Sequence, residues 1–240
     1  MKKLLTLTLA IVFLALGMNA RTFVLVTGVS NYNDEDLNLQ QSTKDAKNFK
    51  DVMDTQTKDI TLLTSKNVTR ANVLEKLRAI ANRAQSDDRI IFFYAGHGMS
   101  GALYGYDGPI AYTDIIDVLS DSKAKEKICF IDACRSGSVI GAKGGNDWSK
   151  SVTGKNDIAF IVACRPEESS SEHPFVGAGF FTKALIKGLR GKSDKNADRK
   201  ITLGELFKYV YADVKKRSDN EQHPQFIGPT NMFDIVVAKW

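Results

Sequence analysis

The amino-acid sequence predicts an α/β fold built around a mostly parallel β-sheet. Short apolar runs alternate with segments of helical periodicity, which is typical of helices packed on a parallel sheet. Two short runs, residues 90–94 and 128–133, consist mostly of apolar residues and are rich in Ile and Phe, as buried parallel strands are. Each is followed by a reactive side chain close to a glycine, His97 in one case and Cys134 in the other. Because the carboxyl ends of parallel strands share one sheet edge, we expect His97 and Cys134 to meet across a cleft.

Strands and helices are predicted in alternation along the chain. Strands are expected at residues 22–29, 60–64, 90–94, 128–133, 158–163 and 233–238, each a short apolar run bounded by polar residues or glycine. Helices are expected at residues 42–54, 69–85, a short stretch from 113, 179–190 and 202–217. Ser42 and Asp45 form a capping-box pattern at the start of the first helix, and Thr69 is a suitable N-cap for the second.

Two glycine-containing stretches are predicted as loops. Residues 98–109 follow His97, and residues 136–156 follow Cys134. Flexible, exposed segments are the preferred sites of proteolytic nicking. The second loop offers basic residues for such cleavage at Lys143, Lys150 and Lys155.

The composition is that of one well-packed globular domain. The chain has 240 residues, of which 43% are hydrophobic and 25% are charged. The formal net charge is +5, and Lys2 and Lys3 in the first residues supply two of these charges. The remaining lysines are scattered rather than interleaved with aromatic residues, which argues against a nucleic-acid-binding protein.

Residues 1–20 have the pattern of a secretory signal peptide. A basic start is followed by an apolar core and by a small-residue exit that ends at Ala20. The alternative is an N-terminal membrane anchor, but an apolar run of about 13 residues is short for a bilayer. We therefore expect an exported protein, periplasmic or extracellular, whose mature domain covers residues 21–240 and has no membrane contact.

The three cysteines, Cys129, Cys134 and Cys164, leave at least one thiol outside any disulfide. Cys129 begins one predicted strand and Cys164 ends another. In parallel neighbouring strands these two sulfurs would be far apart, so a disulfide between them is not expected.

Cys134 and His97 are candidates for nucleophilic catalysis. A thiol at a strand end next to an imidazolium can have its pKa lowered from about 8.5 to below 7, which makes it a nucleophile. The bland alternatives are a buried cysteine that serves as a small hydrophobe and a structural or metal-binding histidine. The chain has only three histidines and no His-x-x-x-His spacing, so we favour His97 as the acid that protonates a leaving amine. The backbone N–H groups of Gly98 and Cys134 would then form an oxyanion hole.

The blocks Tyr94–Gly98 and Asp132–Gly137 together resemble the caspase and metacaspase superfamily of cysteine peptidases. The similarity is closest to bacterial metacaspase-like (orthocaspase-type) peptidases. Further matches extend over the chain from residue 22 onward and include residues 28–30, 45–46, 162–165 and 202–206. The resemblance implies a caspase-like three-layer sandwich with a mostly parallel six-stranded sheet and helices on both faces. It also implies a cysteine endopeptidase with a His97–Cys134 dyad.

The resemblance carries an expectation about specificity as well. Metacaspases cleave after Arg or Lys and use acidic residues in the pocket for the residue before the cleaved bond (P1). Asp45 and Asp132 match that pattern, and Glu167 matches it more loosely. Two carboxylates in a partly dehydrated pocket would hold a guanidinium in a bidentate fork. The alternative for Asp45 is that it only completes the capping box.

Many metacaspases need calcium. We expect that no cofactor is required here, although one loop is a candidate calcium site. Oxygen ligands at EF-hand spacing occur at Asp194, Asn196, Asp198 and Glu205. Arg199 stands where the turn glycine is expected, which costs about 1 kcal/mol or more in a left-handed conformation. The alternative is an acidic loop that caps the helix beginning near Thr202.

The sequence therefore predicts an exported cysteine endopeptidase that hydrolyses protein or peptide substrates after Arg or Lys. Two alternatives remain at this point. One is a catalytically silent caspase-fold binding or scaffold module, and the other is a transpeptidase or a cysteine peptidase with a different P1 preference. The oligomeric state is not indicated by the sequence.

Overall fold

The computed structural model describes residues 20–133, 148–153, 155, 157–164 and 179–240. The strands in chain order are β1 (Thr22–Gly28), β2 (Ile60–Thr64), β3 (Arg89–Gly96), β4 (Gly98–Met99), β5 (Ala102–Gly105), β6 (Gly108–Ala111), β7 (Glu126–Ala133), β8 (Ile158–Val162), β9 (Lys200–Thr202), β10 (Gln225–Ile227) and β11 (Val236–Lys239). The helices are α1 (Ser42–Met53), α2 (Arg70–Arg83), α3 (Tyr112–Ser120), α4 (Trp148–Thr153), α5 (Phe180–Lys187) and α6 (Leu203–Arg217).

The main sheet has six strands in the order β10-β8-β7-β3-β1-β2. Every neighbouring pair is parallel except β10 and β8, which are antiparallel. The central strands are apolar on both faces because helices cover both, which explains their continuous hydrophobic runs. The predicted mostly parallel sheet of six strands is confirmed.

Helices cover both faces of this sheet and complete three layers. One apolar core joins the sheet to α2 and α3, and the other joins it to α1, α5 and α6. Because side chains alternate along a strand, Phe92 belongs to the first core and its neighbour Phe93 to the second. Phe93 stacks on Phe49 of α1 with 4.2 Å between ring centroids. The predicted caspase-like sandwich with helices on both faces is confirmed.

The carboxyl end of β1 is where α1 comes closest to the sheet. A Cβ atom at Gly28 would lie 2.5 Å from the Cβ of Ala46 and 2.6 Å from the carbonyl oxygen of Ser42. Glycine is required here because any side chain would push the helix away from the strand. The first turns of α1, which carry Asp45, are thus fixed directly against the sheet.

The start of α1 differs from the prediction, because Ser42 is not its N-cap. Gln41 occupies that position, and Ser42 is the first residue inside the helix. The N–H of Thr43 donates to the Oγ of Ser30 at 2.9 Å, so a loop after β1 caps the helix from outside. Asp45 therefore lies one position too late in the helix to close a capping box. The caps predicted at Thr69 and at the start of the 202–217 helix are confirmed, the latter as a capping box of Thr202 and Glu205.

Three expectations about irregular and terminal segments were wrong. The loop predicted at residues 98–109 is a three-stranded antiparallel sheet of β4, β5 and β6, anchored by buried Leu103 and Ile110. In the segment 136–156, predicted as a flexible loop, residues 148–153 form helix α4, while residues 136–147, 154 and 156 lie outside the described residues. The strand predicted at 233–238 begins at Val236 and pairs with β9 in a separate sheet, and the sixth strand of the main sheet is β10. Three residues are too few to produce a periodic signal, which is why β10 was missed.

Residues 1–19, nearly all of the predicted signal peptide, lie outside the described residues. In the part of the chain that the structure describes, none of the helices is both long and apolar enough to cross a bilayer.

We predict that Gly28→Ala destabilises the fold by forcing α1 off the sheet. Overpacking of this kind typically costs about 1–3 kcal/mol in the free energy of unfolding. Urea denaturation measures this difference, with Lys47→Ala as a control on an exposed position of the same helix. The control should stay within about 0.5 kcal/mol of the wild type. Equal stability of Gly28→Ala and the control would contradict the close contact.

Candidate active site

His97 follows the last residue of β3 at the carboxyl edge of the main sheet. Its Nε2 atom lies 2.8 Å from the carbonyl oxygen of Leu37, in the loop between β1 and α1. A carbonyl oxygen only accepts hydrogen bonds, so Nε2 must carry a proton in this contact. The neutral imidazole then has Nδ1 left as its basic nitrogen. This arrangement suits a general base or acid whose orientation is fixed from behind.

Two tyrosine hydroxyls hold the main chain at His97. The His97 N–H donates to the hydroxyl oxygen of Tyr32 at 2.8 Å, and the rings of these residues are 5.1 Å apart. The Tyr94 hydroxyl lies 2.7 Å from the carbonyl oxygens of both His97 and Tyr104, to which it can donate. The main-chain N–H and C=O groups of His97 therefore both have hydrogen-bond partners within the protein.

Cys134, the predicted nucleophile, lies outside the described residues, and so does Glu167. Ala133, which precedes Cys134, is the last residue of β7 and is paired with Gly96, the residue before His97. The two strands that lead into the predicted dyad are therefore adjacent and end at the same level. Gly98, predicted to supply an oxyanion N–H, begins β4 and is paired with Leu103.

The other two cysteines are poor nucleophiles. In the described part of the chain, Cys129 and Cys164 are both buried and no disulfide joins them, as predicted. Burial raises the pKa of the Cys129 thiol far above its usual value, so it stays protonated at neutral pH. Their burial makes Cys129 and Cys164 unsuited to the nucleophilic role predicted for Cys134.

Asp132 and Asp45 approach one another beside the strand end that leads to Cys134. Asp132 is on β7 directly before Ala133, and Asp45 is on α1, with 9% and 5% of their surfaces exposed. The Oδ2 atom of Asp132 accepts hydrogen bonds from the hydroxyl of Thr182 at 2.6 Å and from its backbone N–H at 3.2 Å. The structure thus brings together the two acidic residues predicted for the P1 pocket.

Desolvation dominates the electrostatics of this carboxyl pair. Burial raises the pKa of Asp132 to about 7, the Thr182 hydrogen bonds oppose this, and the charge of Asp45 adds to it. Burial also raises the pKa of Asp45 to about 6, against the lowering effect of Lys183 and Lys44. A cation bound beside the two carboxyl groups would stabilise their charged forms and lower both pKa values.

The candidate calcium ligands are engaged within their own loop. Backbone N–H groups of residues 199, 198 and 200 donate to Asp194, Asn196 and Asp198 respectively. Glu205 accepts the N–H of Thr202 at 3.0 Å in the capping box of α6. Among the described residues, no three His, Cys, Asp or Glu side chains are grouped so that they could hold a metal ion. Arg199 has φ of +61°, the left-handed conformation expected at that position.

Three residues at the site were not anticipated from the sequence. Leu37 contributes only a backbone carbonyl, which leaves no trace in residue type. Thr182 is one of many threonines in the chain. Tyr32 had a usable signal, since it is a single aromatic residue in a polar loop at the carboxyl end of a predicted strand.

Comparison with known proteins identifies the family of this chain. Residues 21–234 match the family model described as the caspase domain. The chain therefore belongs to the caspase domain family of cysteine peptidases.

Individual relatives are distant and partly covered. The chain is 29% identical to a paracaspase from Dictyostelium discoideum over 136 residues, which are 53% of this chain and 33% of the paracaspase. It is 43% identical to a legumain from Canavalia ensiformis over 59 residues, which are 22% of this chain and 12% of the legumain. The chain thus spans a third or less of the curated relatives that it matches.

Solved structures show the same fold at low identity. Caspase-1 from Spodoptera frugiperda superposes with a TM-score of 0.63 at 17% identity, covering 87% of this chain and 86% of that one. A protein from Geobacter sulfurreducens superposes with a TM-score of 0.65 at 16% identity, covering 91% and 98% respectively.

We predict that Asp132→Asn changes the pH dependence of stability. The folded-state pKa of Asp132 is raised, so the folded protein binds more protons than the unfolded chain between about pH 4 and pH 7. Stability due to this group is present at low pH and is lost as pH rises through 7. Asp132→Asn should therefore flatten the fall in the free energy of unfolding over this window, which is worth up to about 1.4 kcal/mol per pH unit.

Asp88→Asn is the matched control with the opposite sign. Burial alone would raise the pKa of Asp88, but N–H groups of Gln85 and Arg21 hold it below its usual value. Its stabilisation is present at neutral pH and is lost on acidification, so Asp88→Asn should lower stability at pH 7. Urea titrations from pH 4 to pH 8 measure both, and a parallel response of the two variants would contradict the assignment.

Proposed function

We propose that this chain is an exported cysteine endopeptidase that hydrolyses peptide bonds after Arg or Lys. The observation that carries the proposal is the buried pair of carboxylates, Asp45 and Asp132, beside the paired ends of β3 and β7. One strand leads to His97 and the other to Cys134. A substrate residue whose basic side chain is held by the acids would therefore place its main-chain carbonyl group near both. Membership of the caspase domain family supports the cysteine-peptidase chemistry.

The proposed reaction has two steps. The Cys134 thiolate attacks the carbonyl carbon, and the C–N bond breaks as the imidazolium of His97 gives its proton to the leaving amine. A thioester remains, and water attacks it with neutral His97 accepting a proton, which releases the acid product and the thiolate. The negative charge on the carbonyl oxygen in each step would be met by the N–H groups of Gly98 and Cys134. The hydrogen bond from Nε2 to Leu37 keeps Nδ1 as the nitrogen that exchanges protons.

The proposed specificity would come from the buried setting of the two acids. These two acids are buried with raised pKa values, so between pH 6 and pH 7 they are partly protonated when no substrate cation is bound. A guanidinium or ammonium replaces those protons and pairs with both carboxylates in a low-dielectric site. A neutral or acidic P1 side chain offers no such exchange and would leave the carboxyl groups unpaired.

Export and self-cleavage are part of the proposal and rest on the sequence. The signal peptide would be removed after Ala20, and cleavage in the 136–156 segment would follow Lys143 or Lys155. Lys150 lies in α4, and peptidases bind substrates as extended chains, so cleavage there would first require the helix to unfold. Glu167 remains a proposed third acid of the pocket, and calcium is proposed not to be required.

We predict that mature Arg21–Trp240 cleaves fluorogenic peptides with Arg or Lys at P1 far faster than peptides with Asp or Ala. Cys134→Ala and His97→Ala should each lower kcat/KM by about a thousandfold or more. Asp132→Asn should lower it about a hundredfold for Arg, because one member of a buried charge pair is lost. Asp114→Asn, which removes a surface ion pair with Arg70, should stay within about threefold.

The same panel separates the rival functions. Turnover only after Asp would keep the dyad and overturn the acidic pocket. Products joined to an added amine would indicate a transpeptidase. A folded protein without turnover, with calcium or with chelator and before or after incubation, would indicate a binding module.

We predict that binding of an Arg side chain releases protons from the pocket. The test uses Cys134→Ala and a peptide ending in Arg, with calorimetry at pH 6.5 in two buffers of different ionisation enthalpy. About one proton should be released per peptide, and affinity should rise with pH until the pair is ionised near pH 7. A peptide ending in citrulline, which has the shape of arginine without its charge, is the control. Binding of the Arg peptide without proton release would contradict the role of the acids.

A further inference from the structure

The loop of residues 30–39, between β1 and α1, forms two separate hydrogen bonds with His97. The carbonyl oxygen of Leu37 meets the imidazole at Nε2, and the hydroxyl of Tyr32 accepts the hydrogen bond of the His97 main-chain N–H, both at 2.8 Å. One contact sets the direction of the ring, and the other sets the position of the backbone from which the ring projects.

Hydrogen bonds within the loop fix these two contact points relative to each other. The N–H of Leu39 donates to the carbonyl oxygen of Ser30 at 2.7 Å and closes the loop at its base. The N–H of Tyr32 donates to Oδ1 of Asn38 at 2.8 Å across its middle. These two hydrogen bonds make the loop rigid, so a displacement of Tyr32 would also displace Leu37.

The chemistry of Tyr32 suits a permanent hydrogen-bonding role. Its side chain is 4% exposed, and burial raises its pKa to about 12, so the hydroxyl is neutral over the working pH range. Its ring lies against the imidazole with an interplanar angle of 40° and restricts the space into which His97 can rotate.

Gly96 is what allows the tyrosine hydroxyls to reach the main chain. A Cβ atom at this position would lie 2.4 Å from the hydroxyl oxygen of Tyr94 and 2.8 Å from that of Tyr32. Any side chain here would displace at least one of the hydroxyls that hold His97. The glycine before the histidine therefore has a packing reason that is separate from backbone flexibility.

We propose that Tyr32 is a positioning residue that holds His97 in the orientation needed for proton transfer. This inference rests on the proposed catalytic role of His97. Tyr32 acts through the histidine, with its hydroxyl on the backbone and its ring beside the imidazole. Together with Leu37 it keeps Nε2 on the carbonyl oxygen and leaves Nδ1 available to the nucleophile.

The first test is Tyr32→Phe, which keeps the ring and removes the hydroxyl that accepts the His97 N–H and is also hydrogen-bonded to Tyr94. A loss of orientation affects the chemical step more than substrate binding. We expect kcat to fall about tenfold and KM to change less than twofold. Tyr209→Phe, which removes a hydroxyl on α6, is the matched control and should leave both constants unchanged.

A second pair of variants separates positioning from general damage to the loop. Asn38→Asp keeps an oxygen that can accept the Tyr32 N–H, whereas Asn38→Leu removes it. We expect Asn38→Asp to retain kcat and Asn38→Leu to lower it in the same sense as Tyr32→Phe. Equal losses in both Asn38 variants, or a KM effect alone, would overturn the positioning role.

An activity-independent measurement distinguishes failure of this inference from failure of the proposed function. With only three histidines in the chain, the imidazole ¹⁵N resonances of the full mature domain can be resolved and His97 assigned from His97→Ala. In a Cys134→Ala background, neutral His97 should be protonated at Nε2, and Tyr32→Phe should reduce that tautomer and speed exchange of the His97 amide. Unchanged tautomer and amide exchange in Tyr32→Phe would overturn the inference whether or not the protein cleaves peptides. These spectral changes in a protein without peptidase activity would keep the inference about position and remove only the proposed function.

Discussion

The parallel pairing of β3 with β7 is the contact on which the candidate site depends. In its register Ala95 lies opposite Asp132 and Gly96 opposite Ala133, so the strands leading to His97 and Cys134 end together. Slippage by one residue would turn Asp132 to the opposite face of the sheet. It would also exchange the residues that face the two apolar cores, including Phe130. The register is therefore secured by hydrophobic packing on both faces, and the polar groups at the strand ends inherit their positions from it.

The sequence predicted the layers of this fold because the strongest signals come from buried, repetitive segments. The central residues of β3 (90–95) and of β7 (128–131) are apolar without interruption, which is expected where helices cover both sides of a sheet. The small sheet after His97 was misjudged because Gly98, Gly101, Gly105 and Gly108 are typical of loops. Strand β10 was not predicted because its three residues carry no strand pattern of their own, and they form a strand by pairing with β8. Such elements depend on tertiary contacts that a local pattern does not encode.

The candidate site was partly predictable for a similar reason. Side chains with distinctive chemistry at strand ends, such as His97 and Asp132, could be selected by type and position. The groups that orient these side chains could not be predicted. Every residue has a backbone carbonyl group, so the sequence does not single out Leu37, and Thr182 reaches Asp132 only when α5 packs against β7. The capping-box explanation of Asp45 failed because Ser30 caps α1 from another loop, which only the folded chain brings near. Asp45 instead lies beside Asp132, where we propose a role in substrate binding.

The two neighbouring acids belong to different layers of the sandwich, Asp132 to the sheet and Asp45 to α1. A third element, α5, reaches the same point through Thr182. A basic side chain bound there would cross-link helix and sheet, so the energy of recognition would also be energy of folding. Without a bound peptide, this additional link between α1 and the sheet would be missing. Arginine would in this sense act as a removable structural component of the domain, completing its core from outside the chain.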